Sequence, residues 1–465
     1  MPTQVRDLSP SLLLPRYRAG LVRPTEVVQR VIRRIREHDD PAVWTSLVPE
    51  ERMLAIAAEL ENHPDPGSLP LFGLPFSIKD NIDLAGLPTS CSHDGYQREP
   101  GCSAPVVEHA IQAGAIPVGK NSLDQFATGL SGMRVAGEPC RNALRADLIP
   151  GGSSSGSAVA VATAQVSFSL GTDTGGSGRI PAGMNNIVGI KPTLGVLSDH
   201  GLVSNSRFLD TVSIFAADAE GGRRVFEALV HSQSGARGIT LPTQRDGDRL
   251  PRTWSSASSF DFAIPEPGAL EFFGDSAAAA AFENALDILR ALGGRCHSID
   301  FQLFHEASEI PFKSGLLAER YFNFGEMLEV EAAQSHPALL SILADAKRIE
   351  IRDYLESFYA MRNLRDAVRP LLSPYRFLVV PTVPKAFTRQ ELEDEPITAN
   401  HRIGYYSYFV SPLDLSAVAV PSSLRADGAP SGITLIGLPG HDLLLLEFAC
   451  RFGQRVGLAP GIDAL

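Results

Sequence analysis

Two knots of glycine and serine dominate the chain. The first is Gly151-Gly152-Ser153-Ser154-Ser155-Gly156 and the second is Thr172-Asp173-Thr174-Gly175-Gly176-Ser177-Gly178. Glycines in a tight loop let backbone N–H groups converge on one point, as an oxyanion hole or a phosphate cradle requires. Gly/Ser clusters more commonly serve as linkers or turns. These two, however, enclose a small apolar run from Ser157 to Gln165, suited to a tightly packed helix, and a short strand from Val166 to Leu170. A linker would not carry an ordered helix and strand. No Gly-Lys-Ser/Thr follows, so a Walker-type phosphate loop is unsupported. No glycine triplet of dinucleotide-binding spacing opens a helix after a strand. A hydrolytic serine site remains.

The two blocks resemble the signature of the amidase signature family. Its pattern is a Gly-Gly-Ser-Ser-Gly/Ser-Gly block, then Gly-Thr-Asp-x-Gly-Gly-Ser with Arg-x-Pro following, here Gly171 to Ser177 and Arg179-Ile180-Pro181. The resemblance implies that Ser177 is the nucleophile and Ser153 a bridging serine held by a cis peptide bond. It implies a lysine from a strand ending Lys-Asp-Asn, here Lys79 in Phe76-Ser77-Ile78-Lys79-Asp80-Asn81. The fold it implies is α/β, an α/β/α sandwich with a central mixed β-sheet flanked by helices.

Acyl transfer from an amide needs a nucleophile, a proton shuttle and a home for the oxyanion. Ser177 would attack. Lys79 would take the proton through Ser153 and return it to the leaving nitrogen. The backbone N–H groups of Thr174, Gly175, Gly176 and Ser177 would hold the oxyanion. A strand-end lysine is normally a solvated charge. Lys79 differs in being preceded by apolar residues, and desolvation lowers a lysine's pKa toward the neutral form a base needs. Among the histidines, His93, His109 and His200 stand alone in sequence and offer no triad partner.

The resemblance narrows to the allophanate hydrolase branch. It is carried by Asp124-Gln125-Phe126-Ala127-Thr128-Gly129-Leu130, by Gly183 to Pro192, and by Arg207-Phe208-Leu209-Asp210 with Val212 to Phe215. In the last third it is carried by Pro396-Ile397, Asn400 to Gly404, Asp414-Leu415 and Ala417 to Pro421. It implies substrate contacts from Gly129, Leu130, Ser131 and Arg207, whose planar fork suits a carboxylate. An ion pair of Arg207 with Asp210 is the structural alternative. The branch usually reads Thr-Arg-Ser-Pro-Tyr-Gly where this chain has Met133 to Glu138. It reads Pro-Ala-Cys-Arg-Ser-Leu-Asp where this chain has Ser204 to Asp210. Many of its members also carry an additional C-terminal domain. The reaction class therefore carries over more firmly than the substrate. Four readings stay open: hydrolysis of allophanate or a close relative, hydrolysis of another small amide or carbamate, the glutaminase subunit of a tRNA amidotransferase, and a non-catalytic binding protein on the same scaffold.

The elements that must position these residues alternate between helix and strand. Thr25 to Ile35 is helical, with Val27, Val28, Val31, Ile32 and Ile35 on one face and Thr25 as N-cap. Helices follow at 51–61 and 105–113, with strands at 71–78 and 116–119. Residues 121–134 form a small-residue loop or short helix between the lysine and the serines. Strands are expected in 185–193 and at 212–215, 260–265, 377–381 and 433–436, and helices at 277–292, 349–372 and 443–452. The acidic run Glu391 to Glu395 reads as a solvated loop. Strand–helix–strand order suggests crossovers in a largely parallel or mixed sheet. The 465 residues are read as one amidase domain, with N-terminal helices over about 1–62 and an irregular insertion over about 231–259.

Composition excludes several classes. With 44% apolar and 20% charged residues the chain is of ordinary globular type. A net charge of −12 argues against nucleic acid as a partner. Five scattered cysteines without a Cys-x-x-Cys pair point to a reducing compartment and no zinc site. Residues 1–18 have no continuous apolar core of a signal peptide, and no stretch approaches a membrane span. The expectation is a cytoplasmic enzyme without cofactor or metal, acting on a small-molecule amide, with a homodimer allowed.

Overall fold

Phe76, Ile78, Phe168, Leu170, Val212 and Ile214 are all fully buried, and they set three short strands side by side. Strands buried on both faces read as apolar runs rather than alternations, which is why these were legible. The computed structural model describes residues 4–135, 137–237 and 259–465. In chain order its strands are β1 (Trp44–Leu47), β2 (Pro75–Lys79), β3 (Ile116–Asn121), β4 (Phe168–Thr172), β5 (Val188–Lys191) and β6 (Val212–Ala216). Then come β7 (Phe260–Pro265), β8 (Gly294–Ile299), β9 (Leu378–Pro381), β10 (Ser416–Leu424) and β11 (Pro430–Gly437).

All eleven form one mixed sheet in the order β1-β3-β2-β4-β6-β5-β10-β11-β9-β7-β8. β2 pairs in parallel with β3 and β4, while β4 and β6 run antiparallel. Helices cover the sheet, as the sandwich architecture requires. The one that matters for chemistry is Ser155–Ala162, buried along its whole length because every residue in it is small or β-branched. It lies between β3 and β4, so the crossover returns the chain to the sheet beside β2. The C-terminal ends of β2 and β4 therefore open on the same edge. In open α/β sheets that edge is where ligands bind.

Several expectations shift. The helix expected over 157–165 runs from Ser155 to Ala162, and the strand expected over 166–170 runs from Phe168 to Thr172. Thr25 is not an N-cap: Pro24 opens that helix, Arg23 caps it, and Pro fits the first helical position because it needs no N–H partner. The acidic run is not a loop. It forms the short helix Arg389–Asp394, started by a reciprocal Thr388–Glu391 capping box. Residues 231–237, expected to be irregular, continue helix Ala219–Arg237, and residues 238–258 of that expected insertion lie outside the described residues. Among the described residues no helix is long and apolar enough to cross a membrane.

Candidate active site

Lys79 ends β2 and is fully buried. Its Nζ lies 2.7 Å from Ser153 Oγ, and Ser153 Oγ lies 2.9 Å from Ser177 Oγ. Ser153 is 0% and Ser177 2% exposed, so the three groups form a chain shielded from bulk water. Lys79 Nζ also lies 2.7 Å from Thr172 Oγ1, at the end of the neighbouring strand. Burial pushes the Lys79 amine down to about 7, against the pull of Asp124, Asp210 and Asp173. An amine near that value is half neutral at neutral pH and has a lone pair to offer a hydroxyl.

Backbone geometry brings the two serines together. The Gly152–Ser153 peptide is cis. Gly152 has no room for a side chain: a Cβ there would lie 2.1 Å from Asp124 Oδ2 and 2.4 Å from the Gly132 nitrogen. Asp124 organises this corner by accepting from the Gly132 and Arg134 N–H groups at 3.0 and 2.8 Å.

The loop carrying Ser177 is wound around Asp173. Its carboxylate accepts from the N–H groups of Gly176 and Gly178 at 2.8 and 3.0 Å and from Arg179 through Nε and a terminal nitrogen at 2.8 and 2.9 Å. Arg179, 1% exposed, also donates to the Ser407 carbonyl. Burial pushes the Asp173 carboxyl up, but the Arg179 guanidinium, Lys191 and the Gly178 N–H outweigh it and hold the group below its ordinary 3.8. Arg179→Met leaves this carboxylate buried and unpaired, so it should lower the unfolding free energy in urea by about 3–5 kcal/mol. Adding Asp173→Asn should return part of the loss. Because the folded pKa is depressed, the stability the pair supplies is full above the unfolded value and drains as pH falls through the folded one.

Of the expected oxyanion donors, Gly176 is a correction. Its N–H already donates to Asp173 Oδ1, and its φ of +137° turns it that way, with Ser407 Oγ where a Cβ would stand. Among the described residues the N–H groups of Thr174, Gly175 and Ser177 meet no protein acceptor. The Thr174 side chain is fixed by its hydroxyl bond to Asp210 Oδ1 at 2.6 Å.

A small cleft of about 30 Å³ adjoins Ser177. Gly129 and Leu130 line it. Ser131 does not; it is buried beside it and accepts from the Met133 N–H at 3.2 Å. Arg207 is far from the expected place. It is exposed, on the rim of a separate groove with Phe208, Phe322 and Tyr354. Asp210 is held instead by Thr174, Ser204 and the Asn205 and Ser206 N–H groups. That groove, about 560 Å³, is far larger than the cavity at Ser177, so size does not mark the chemistry here and the hydroxyl chain does.

Residues that the sequence did not single out complete the cavity. Arg134 and Arg320, 4% and 6% exposed, both line it. Arg134 donates to the Thr128 and Pro396 carbonyls, and Arg320 Nε donates to Asn205 Oδ1 at 3.0 Å. Burial pushes the Arg320 guanidinium down to about 10, and Arg134 adds to that push by repulsion. Tyr408 and Asn400 form the far wall, with Asn400 Nδ2 donating to the Tyr408 hydroxyl at 3.1 Å. Arg320 follows Ala318-Glu319 and precedes a single π-helical turn, Tyr321–Gly325, an irregularity common at functional sites. No local sequence pattern separates it from a solvated helical arginine. Among the described residues no group of three or more His, Cys, Asp or Glu is placed to hold a metal ion.

In comparison with known proteins, the family model described as Amidase matches residues 26–446. The chain is 38% identical over 423 residues to the urea amidolyase of Saccharomyces cerevisiae, covering 89% of this chain but only 22% of that protein. It thus spans about a fifth of the length of the curated relatives it matches at that level. It is 31% identical to a glutamyl-tRNA(Gln) amidotransferase subunit of Symbiobacterium thermophilum, covering 97% of this chain and 96% of that one. Among solved structures it is similar to the allophanate hydrolase of Kluyveromyces lactis, with a TM-score of 0.86 and 32% identity over 96% of this chain and 72% of the other.

Proposed function

This chain belongs to the amidase family, and from that premise we propose that it hydrolyses a C–N bond of a small amide or urea-type substrate, allophanate or a close relative, through an acyl-enzyme on Ser177. One observation carries the reading: Lys79, Ser153 and Ser177 stand in hydrogen-bond succession, with the amine brought near neutrality by burial. Lys79 accepts the Ser153 proton as Ser153 accepts that of Ser177, and Ser177 Oγ adds to the carbonyl carbon. The N–H groups of Thr174, Gly175 and Ser177 are the donors left to stabilise the oxyanion. The proton returns along the same chain to the leaving nitrogen, and water then hydrolyses the ester.

Two buried guanidiniums beside the nucleophile make the cavity electropositive, and a low-dielectric cleft lined by one sign of charge attracts the opposite sign. They favour an anionic substrate. Allophanate carries a carboxylate next to its scissile amide. The small cavity favours a compact molecule over a peptide. We assign the carboxylate to Arg320, with Gly129 and Leu130 as wall residues, and give Arg207 no part in binding. Arg320→Met should cut kcat/KM on allophanate by roughly 2–5 kcal/mol in equivalent free energy and leave a neutral amide of similar size much less affected. An equal loss on both, with a lowered melting point, would remove the anion reading and keep only the amidase.

The amidotransferase reading is favoured by one observation, the end-to-end match to the Symbiobacterium thermophilum protein. Purified protein tested alone on allophanate, glutamine, simple amides and carbamates, with ammonia release as readout, separates the readings. Turnover of allophanate without partners supports ours. Ammonia released only from glutamine, and only with other subunits present, overturns it. We further read the 465 residues as one amidase domain, working in the cytoplasm as a homodimer.

A further inference from the structure

Asn205 is 1% exposed and lines the cleft beside Ser177. Its side-chain amide bridges two walls of that cleft. On one side Nδ2 donates to the Phe126 carbonyl at 3.0 Å and to Thr128 Oγ1 at 2.8 Å. On the other, Oδ1 accepts from Arg320 Nε at 3.0 Å. The neighbours dictate which end of the amide faces which wall, because a carbonyl only accepts and a guanidinium only donates. An aspartate could not serve the Phe126 carbonyl, and a leucine could serve neither side. The Asn205 backbone is fixed as well, its N–H donating to Asp210 Oδ2 at 2.8 Å. The wall it braces is a strained one. Phe126 and Ala127 have φ of +50° and +55°, a region that such residues rarely enter.

The bond to Arg320 has an electrostatic consequence. Burial and the repulsion of Arg134 both work against the Arg320 charge. Two like charges lining one small cleft push each other apart unless they are tethered. Arg134 is tethered by the Thr128 and Pro396 carbonyls, and Arg320 by the Asn205 amide. All three acceptors are neutral oxygens. They fix the guanidinium planes without cancelling the charges, which stay available to an anion in the cleft. An aspartate in place of Asn205 would pair with Arg320 and remove that attraction. The allophanate hydrolase branch usually carries alanine where this chain has Asn205, and an alanine side chain can make none of these bonds. The tether therefore belongs to this chain rather than to the branch.

We propose that Asn205 is the positioning residue that gives this cleft its preference for a compact, carboxylate-bearing amide, by holding Arg320 in place with its charge intact. This rests on the assignment of the substrate carboxylate to Arg320. Biuret provides the test, because it is allophanate with a neutral carboxamide in place of the carboxylate. On the purified full chain, the quantities to measure are KM for allophanate and the inhibition constant of biuret against it. Asn205→Ala should raise that KM roughly tenfold, the scale of a lost hydrogen bond to a charged group, and leave the biuret constant within about twofold. Asn205→Asp, of nearly the same size, should raise the KM roughly a hundredfold by neutralising Arg320, again sparing biuret. In an Arg320→Met background, Asn205→Ala should add nothing to the KM for allophanate, because its effect runs through that guanidinium. Melting curves on each variant report folding. A parent that binds biuret as tightly as allophanate, or an Arg320→Met variant that harms both alike, would end the carboxylate assignment and this proposal with it. If Arg320→Met harms allophanate selectively while the Asn205 variants spare it, or harm both ligands equally, this proposal alone is overturned.

Discussion

Ser177→Ala should lower kcat on the small amide substrate by roughly a millionfold, the scale seen when a serine hydrolase loses its nucleophile. The reason is positional as well as chemical. Ser177 Oγ is the terminal hydroxyl of the chain from Lys79 and the only one of the three groups that lines the cavity. Removing it leaves Ser153 with its lysine but with no path to the carbonyl carbon. The fold should not suffer, because the loop is held by the Asp173–Arg179 pair and by backbone bonds rather than by the serine side chain. The unfolding free energy should fall by no more than about 1.5 kcal/mol, the worth of the one hydrogen bond to Ser153 that is lost. Single-turnover assays should lose the burst of acyl-enzyme. Near-parental turnover by this variant would end the nucleophile assignment.

Lys79→Met should lower kcat by roughly 10²–10⁴-fold, the contribution of a positioned general base. Ser153→Ala should act through the same relay, so the double variant should be little worse than either single one. The pH profile distinguishes a base from a structural lysine. With its amine at about 7, Lys79 is protonated and inactive at acid pH, so kcat/KM of the parent should rise as pH increases through that value. The residual activity of Lys79→Met should lose this rise. Stability moves the other way. The folded pKa is depressed from 10.5, so the unfolded state binds more protons between about 7 and 10.5. The lysine's burial therefore costs stability in full below the folded value, and the cost fades as pH climbs through that window. Lys79→Met should melt higher than the parent at pH 6, by a margin that narrows at pH 10. A variant that melts lower at both pH values would make Lys79 a structural residue.

What the chain determined by itself is the set of groups proposed to react. Lys79, Ser153 and Ser177 were legible through the resemblance to the amidase signature, whose two Gly/Ser blocks and Lys-Asp-Asn strand end stand in this sequence. Only glycine fits at 152 and 176, and an all-buried strand must lead to position 79. Strands β2 to β7, β9 and β11 were legible from the sequence, since burial on both faces demands continuous apolar runs. Strand β10, although central and buried, was not read as a strand, and neither were β1 and β8. Trp44–Leu47 is half exposed and Gly294–Ile299 carries Arg295 and His297, so only their ladders with β3 and β7 make them strands. The Arg389–Asp394 helix was read as a loop because its charge masked the Thr388 cap.

Tertiary structure alone decided what surrounds Ser177. Arg207 lay in a segment matched by resemblance, yet its side chain is on the outer rim, because the 204–210 loop turns its Asp210 inward onto Thr174. Arg320, Asn400 and Tyr408 reach the cavity from helices and turns distant in sequence, brought there by packing that no local periodicity encodes. Gly176 shows the same limit on the scale of one peptide. The sequence identifies a glycine loop able to aim N–H groups, but only the buried Asp173 carboxylate decides which of them it claims and which are left for substrate. Reactive groups lie close to the backbone and are set by local geometry, whereas specificity is built from side chains that converge only once the whole sheet and its covering helices have formed.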